Sequence, residues 1–148
     1  MRGLSVTTLR PAVRVRPADP ERHFPGILHL YEAHGWTHAA DPERLRTAVE
    51  HSECSLVALE DEAVVGYARA LSDRAFAVYV ADVLVHPDRQ REGIGRALME
   101  AILERYPIDR FHHQVLIAER GAEGFYRRLG MMPVGAFGLT AFIRTRDE

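Results

Sequence analysis

The stretch from Phe76 to Tyr106, FAVYVADVLVHPDRQREGIGRALMEAILERY, constrains this chain more than any other. Phe76 to Val85 is almost continuously apolar and rich in β-branched residues, broken only by Asp82. That predicts a strand covered on both faces. His86-Pro87-Asp88 stops it, and Gln90-Arg91-Glu92-Gly93-Ile94-Gly95 follows at once. From Ile94 the apolar residues recur at Ala97, Leu98, Ala101 and Ile102, the stripe of a helix lying on a sheet. Pro107 disfavours helical geometry in the residue before it, so the helix stops at Tyr106. At such a handover the first N–H groups of the helix lack intrahelical partners and carry the positive end of its dipole. Gly93 and Gly95 have no Cβ, so a ligand can approach the backbone closely, and Arg89, Arg91 and Arg96 add positive charge nearby. The pattern predicts an anion site suited to a pyrophosphate.

A chain of 148 residues is most simply one domain with one core, here from Ala12 to Glu148 after a loose start at residues 1–11. The net charge of −2 leaves no basic excess of the size nucleic acid requires. A single Cys excludes a disulfide framework within the chain and fits a reducing compartment. No apolar run approaches the length of a membrane helix and no signal-peptide pattern is present. The expectation is a soluble cytoplasmic protein. All 19 basic residues are Arg. Without lysine, a Walker-type phosphate loop and Schiff-base chemistry are both excluded. The eight His fall into no metal-ligand spacing, so no metal site is expected.

In chain order, Ala12 to Arg16 alternates and predicts a first strand. Asp19-Pro20 caps a helix that Pro25-Gly26 should bend or interrupt, and Asp41-Pro42 caps a second, shorter one. Cys54 to Leu59 and Ala63 to Leu71 read as a hairpin across Glu60-Asp61-Glu62. After the central stretch come a strand from His112 to Ala118, a short helix from Ala122 to Leu129 closed by Gly130, and a last pair of strands, Val134 to Phe137 and Leu139 to Arg144. This is a mixed α/β domain with a central sheet and helices on both faces.

Val85 to Gly95 resembles the signature of the GCN5-related N-acetyltransferases, in which Gln/Arg-x-x-Gly-x-Gly/Ala follows a strand that ends in a proline turn. Phe125-Tyr126-Arg127-Arg128-Leu129-Gly130-Met131 is similar to the second signature of that family, and the order of elements matches from Ala12 onward. Arg91 stands where many members have Gly, and Met131 where most have Phe. An Asn often found before the second motif's helix is absent, with Arg120 in that region. The resemblance implies an acyl-CoA N-acyltransferase fold with a mostly antiparallel sheet, and acetyl transfer from acetyl-CoA to an amine. In that fold two central strands splay and the pantetheine arm enters the gap, which places Leu84 and Val85 at the cofactor and makes the N–H of Leu84 the oxyanion donor. Gln90, Arg91, Glu92, Gly93, Ile94, Gly95 and Arg96 would hold the pyrophosphate, with Phe125 also at the cofactor and Tyr126 as general acid.

Asp82 is the one charged residue in an apolar strand. Burial of a lone carboxylate is costly unless it is paired or its pKa rises. It is therefore either the base that accepts the amine proton, directly or through water, or a structural ion pair with an arginine such as Arg69. The loop after the first helix holds Tyr31, His34, Trp36 and Thr37. Tyr31, Trp36 and Arg69 are the candidate acceptor contacts, and Trp36 is either core or an aromatic wall for the amine. Segments around Gly35-Trp36 and Gly66 to Asp73 resemble a bacterial and plastid branch with arylalkylamine-type members, which implies a small amine substrate. A non-catalytic acyl-CoA-binding module and transfer to a protein amine are the alternatives. A Rossmann enzyme would need its fingerprint in the first βα unit and a third glycine at position 98, which is Leu98. Neither a nucleic acid nor a membrane is expected as partner, and the apolar C-terminal strands suit a homodimer.

Overall fold

Five strands, β1 (Val13–Pro17), β2 (Cys54–Glu60), β3 (Ala63–Ser72), β4 (Ala77–Val85) and β5 (His113–Leu116), form one sheet in sequence order. The first three pairings are antiparallel and β4 pairs with β5 in parallel. These come from a computed structural model that describes residues 12–145, so the expected loose segment at residues 1–11 lies outside the described residues. The chain divides into two units, one ending at Ile117 and one beginning at Ala118. Among the described residues no helix is long and apolar enough to cross a membrane.

Helices α1 (Pro20–Ala33) and α2 (Pro42–His51) start where the sequence predicts. Asp19 accepts from the N–H groups of Glu21 and Arg22, Asp41 accepts from that of Arg44, and proline occupies the first helical position in both. Pro25 does not interrupt α1. The carbonyl it leaves without an intrahelical partner, that of Glu21, belongs to the solvent-exposed first turn, where water can satisfy it. α3 (Ile94–Arg105) buries Ile94, Leu98, Met99 and Ile102.

The strand register divides the core between two faces. Val57, Tyr67 and Leu84 join the cluster built from Phe24, Ile27, Leu30 and Tyr31 of α1 and Leu45 and Val49 of α2. Their neighbours Ala58 and Gly66 point the other way, toward α3. The register slips once between β3 and β4: Arg69 faces Asp82 while Ala70 faces Val80, so Ala81 is an extra residue. Such a bulge reverses the side-chain alternation. Asp82 and Leu84 therefore share the α1 face, whereas Val80 and Val78 turn to the other. β4 is not covered on both faces along its whole length. Leu71 and Tyr79, paired across β3 and β4, stay 41% and 37% exposed, because α1 and α2 reach only the half of the sheet nearer Val85.

α3 lies so close to β3 that only glycine fits at position 66. A Cβ there would sit 2.8 Å from Cγ2 of Ile94 and 3.1 Å from Cδ1 of Leu98. Gly66→Ala should cost about 1–3 kcal/mol in chemical denaturation, the usual range for overpacking. A variant as stable as the wild type would show that the start of α3 moves freely.

The second unit carries α4 (Glu123–Arg128) and a 3-10 turn at Val134–Phe137. Gly130, with φ of +89°, follows α4 as expected. The expected strands Val134 to Phe137 and Leu139 to Arg144 do not form. Pro133 and left-handed Gly138 bound a tight turn instead, and the described part of this unit holds no strand for either segment to pair with. The paired strands that suited a dimer interface are thus absent from it.

Candidate active site

The parallel pairing of β4 with β5 runs only from Ala77–His113 to Val80–Leu116. From Ala81 to Val85 the strand has no β5 partner, and from Asp82 onward it keeps its β3 partner. The N–H of His86 donates to the carbonyl of Val65 at 2.9 Å, which fixes the phase of the ladder. In an antiparallel pair alternate residues face the same neighbour. Leu84 therefore bonds Tyr67 on β3, with its side chain 1% exposed in the α1-side core. Its N–H is not the group offered to a ligand. That place belongs to Val83 and Val85, whose N–H groups face the open side. Val83 is thus a candidate donor that the sequence reading missed by one position.

After β4, His86 accepts at Nδ1 from the N–H of Asp88 and shapes the turn Pro87–Arg89. Arg89 turns its charge toward carboxylates of the chain itself. Its Nη1 donates to Glu60 at 2.5 Å and its Nε to Glu92 at 3.1 Å, tying the loop to the end of β2. Gln90 and Arg91 are exposed. Arg91 has φ of +66°, a left-handed conformation that costs a non-glycine residue about 1–2 kcal/mol. Gly93, at φ +86°, is the N-cap of α3 and provides no side-chain cap, so the first N–H groups of this helix remain available. Ile94 buries its side chain against the sheet and contributes only backbone here. Arg96 pairs with Glu100 at 2.9 Å.

On the α1 face Asp82 is 8% exposed and bonded on one oxygen. Tyr31 Oη and Arg69 Nε each donate to Oδ2 at 2.7 Å. The ion pair with Arg69 anticipated from the sequence is present. His38 Nε2 lies 3.9 Å from the same oxygen. Burial and then the Asp82 charge push the Tyr31 phenol far up, so it stays a neutral donor. Tyr31 is fully buried, which removes it from the acceptor contacts, and Arg69 is committed to Asp82. Trp36 is partly exposed, with Tyr31, His34 and His38 rings 5.8–6.0 Å from its own. His34, the C-cap of α1, is hydrogen-bonded through Nε2 to the carbonyl of Val85 at 2.7 Å. The sequence placed His34 in the loop after the first helix without a role and gave no signal for His38, because their partners lie far along the chain.

In the second unit Phe125 and Tyr126 stack edge to face with centroids 4.9 Å apart. Burial, then the nearby Glu119 charge, raises the Tyr126 phenol above its ordinary value. Cys54 is buried in the first unit, and burial pushes its thiol up. A raised thiol holds little thiolate, which is consistent with an inert residue.

Residues 21–131 match the model of the acetyltransferase (GNAT) family. A chloroplastic serotonin N-acetyltransferase 2 from Oryza sativa is 42% identical over 113 residues, 72% of this chain and 56% of its own length. A chloroplastic GCN5-related N-acetyltransferase 1 from Arabidopsis thaliana is 34% identical over 73% of this chain and 57% of its own. The chain thus spans just over half the length of these plant relatives. A GNAT-family acetyltransferase structure from Streptococcus pneumoniae TIGR4 superposes with a TM-score of 0.76 at 32% identity, covering 92% of this chain and 98% of the other. An open central strand, a glycine-capped helix after it, and a family match across both together place this chain in the GNAT acetyltransferase family.

Proposed function

We propose that this protein transfers an acetyl group from acetyl-CoA to the primary amine of a small molecule, by direct transfer within a ternary complex. The observation that carries the proposal is the free flank of β4 leading into the uncapped start of α3. The fit to acetyl-CoA is good on both counts. The N–H groups of Val83 and Val85 suit the amide and thioester carbonyls of an extended arm, and one preorganised donor to a developing oxyanion is worth about 3–4 kcal/mol. The N–H groups around Gly93 to Gly95, with Gln90, Arg91 and Arg96 at the rim, suit a diphosphate. Acetyl-CoA supplies the activated acyl group, and the chain supplies position, charge and proton acceptors.

Asp82 fits best as an anchor that locks Tyr31 and Arg69, since both donate to one of its oxygens. Tyr126 is assigned as the acid that protonates the leaving thiolate on its motif and its raised phenol. Trp36 is assigned as an aromatic wall for the amine. The 42% identical relative is named for serotonin, which supports an arylalkylamine as the acceptor class. The single buried Cys54 fits a reducing compartment such as the cytoplasm.

The test is release of CoA thiol from acetyl-CoA with a panel of arylalkylamines, polyamines, amino acids and aminoglycosides. Turnover with an arylalkylamine is expected. Silence across the panel, with CoA still raising the melting temperature, would instead support a non-catalytic acyl-CoA-binding module. Arg91 supplies a further prediction. Arg91→Gly should stabilise the free protein by about 1 kcal/mol by relieving its left-handed backbone. It should also weaken CoA binding, seen by calorimetry, through loss of a cation at the diphosphate. A variant that binds CoA as tightly as the wild type would remove Arg91 from the cofactor contacts.

A further inference from the structure

We infer that His34 is the general base of the transfer: the hydrogen bond from its Nε2 to the Val85 carbonyl leaves Nδ1 as the proton acceptor on the open flank of β4. The inference rests on the acetyl-transfer reading above and names the residue that this reading lacks.

Three observations converge on it. First, the phase of the ladder sends the N–H and C=O of Val85 away from β3, so the carbonyl that His34 bonds lies on the flank whose N–H groups suit the thioester. Second, a carbonyl only accepts, so Nε2 must carry the proton, and Nδ1 of the neutral ring is then an acceptor. Third, the ring is held in place by backbone. α1 ends in a Schellman motif: Gly35, at φ +68°, donates to Glu32 at 3.0 Å, and Trp36 donates to Tyr31 at 3.1 Å. This pins His34 as the C-cap, with the Trp36 ring 6.0 Å from its own. Asp82 offers no comparable arrangement, because Tyr31 and Arg69 both occupy its Oδ2. Other titratable groups on the elements meeting here include His29, Tyr31 and Glu32 on α1, His38 on the 3-10 turn after it, Tyr67 and Arg69 on β3, Asp82 on β4 and His86 at its end, whose ring lies 5.8 Å from that of His29.

The proton balance is simple. The acceptor arrives as an ammonium ion. His34 Nδ1 takes one proton, directly or through one water, and releases it to solvent. The freed lone pair forms the N–C bond to the thioester carbonyl carbon. The C–S bond breaks with its electron pair on sulfur. That thiolate is protonated as the nitrogen gives up its second proton, and the product is the amide and free CoA thiol.

The substitution that isolates the base is His34→Gln, because the glutamine amide can still donate to the Val85 carbonyl but cannot accept a proton as imidazole does. With tryptamine as the probe amine, kcat/KM at pH 7 should fall about 10²-fold or more. Only the limb set by deprotonation of the free amine should remain in its pH profile. CoA affinity should not change, and added imidazole should restore part of the rate to His34→Gly. Nitrogen-15 NMR of the histidines gives a readout that does not need turnover: neutral His34 should carry its proton on Nε2. A proton on Nδ1 overturns the assignment whatever the acceptor is. Turnover by His34→Gln equal to that of an active wild type overturns the assignment alone. A wild type that releases no thiol with any amine overturns the transfer reading itself, and this inference with it.

Discussion

Asp82→Ala should destabilise the protein by about 3–5 kcal/mol, the cost of leaving one partner of a buried ion pair behind. The substitution strands two donors at once. Arg69, with its side chain 13% exposed, keeps a charge without its carboxylate, and the fully buried Tyr31 hydroxyl loses its acceptor. The Arg69 Nη1 contact to Ser52 Oγ at 3.4 Å is too long to compensate. The cost belongs to the stranded groups more than to the pair itself. Tyr31→Phe/Arg69→Met/Asp82→Leu should therefore recover most of the stability in urea denaturation, since a buried polar cluster replaced as a whole by apolar groups is close to neutral. If Asp82→Ala alone loses less than about 1 kcal/mol, water reaches the cluster and the carboxylate is not an anchor.

The second large effect is catalytic. Tyr126→Phe should lower kcat by about 10²-fold, the low end for a general acid, because a thiolate is a good leaving group without help. That is about 2.7 kcal/mol of transition-state stabilisation. CoA affinity should stay as it was, because the phenol is assigned to the reacting sulfur and to no binding contact. The raised phenol pKa has its own consequence. A wild-type acid pushed above the ordinary tyrosine value stays protonated through neutral and mildly alkaline pH, so the rate should not decline there from loss of this proton. A Phe variant with an unchanged kcat would remove Tyr126 from the chemistry.

Local chemistry in the sequence located most elements. The Asp-Pro caps at Asp19 and Asp41 start α1 and α2, because a carboxylate at the N-cap and a proline after it act within one turn. The stretch from Ala77 to Arg105 likewise follows the strand, turn and helix read from its periodicity. What was not legible depends on partners distant in sequence. The bulge at Ala81 exists only in register with β3, and the phase of the ladder is set by the bond from His86 to Val65, so the family pattern alone put the donor at Leu84 where the register turns Val83 and Val85 outward. His34 meets a carbonyl 51 residues away, and no spacing encodes that. The segment from Val134 to Arg144 had strand-like residues, yet a strand is defined by its neighbour, and the described part of its unit supplies none.

The unpaired flank of β4 also bears on how an open edge can avoid recruiting foreign strands. Unsatisfied strand edges recruit other chains, and natural sheets blunt them with charge, proline or brevity. Here β1, at one margin, is five residues long and carries Arg14, Arg16 and Pro17, while β5 is four residues long. The flank proposed to take the cofactor begins at Ala81, where pairing with β5 has stopped, and ends with β4 at Val85. A foreign strand would find no more than Ala81 to Val85 to pair with there, and so short a free stretch is a poor template for aggregation.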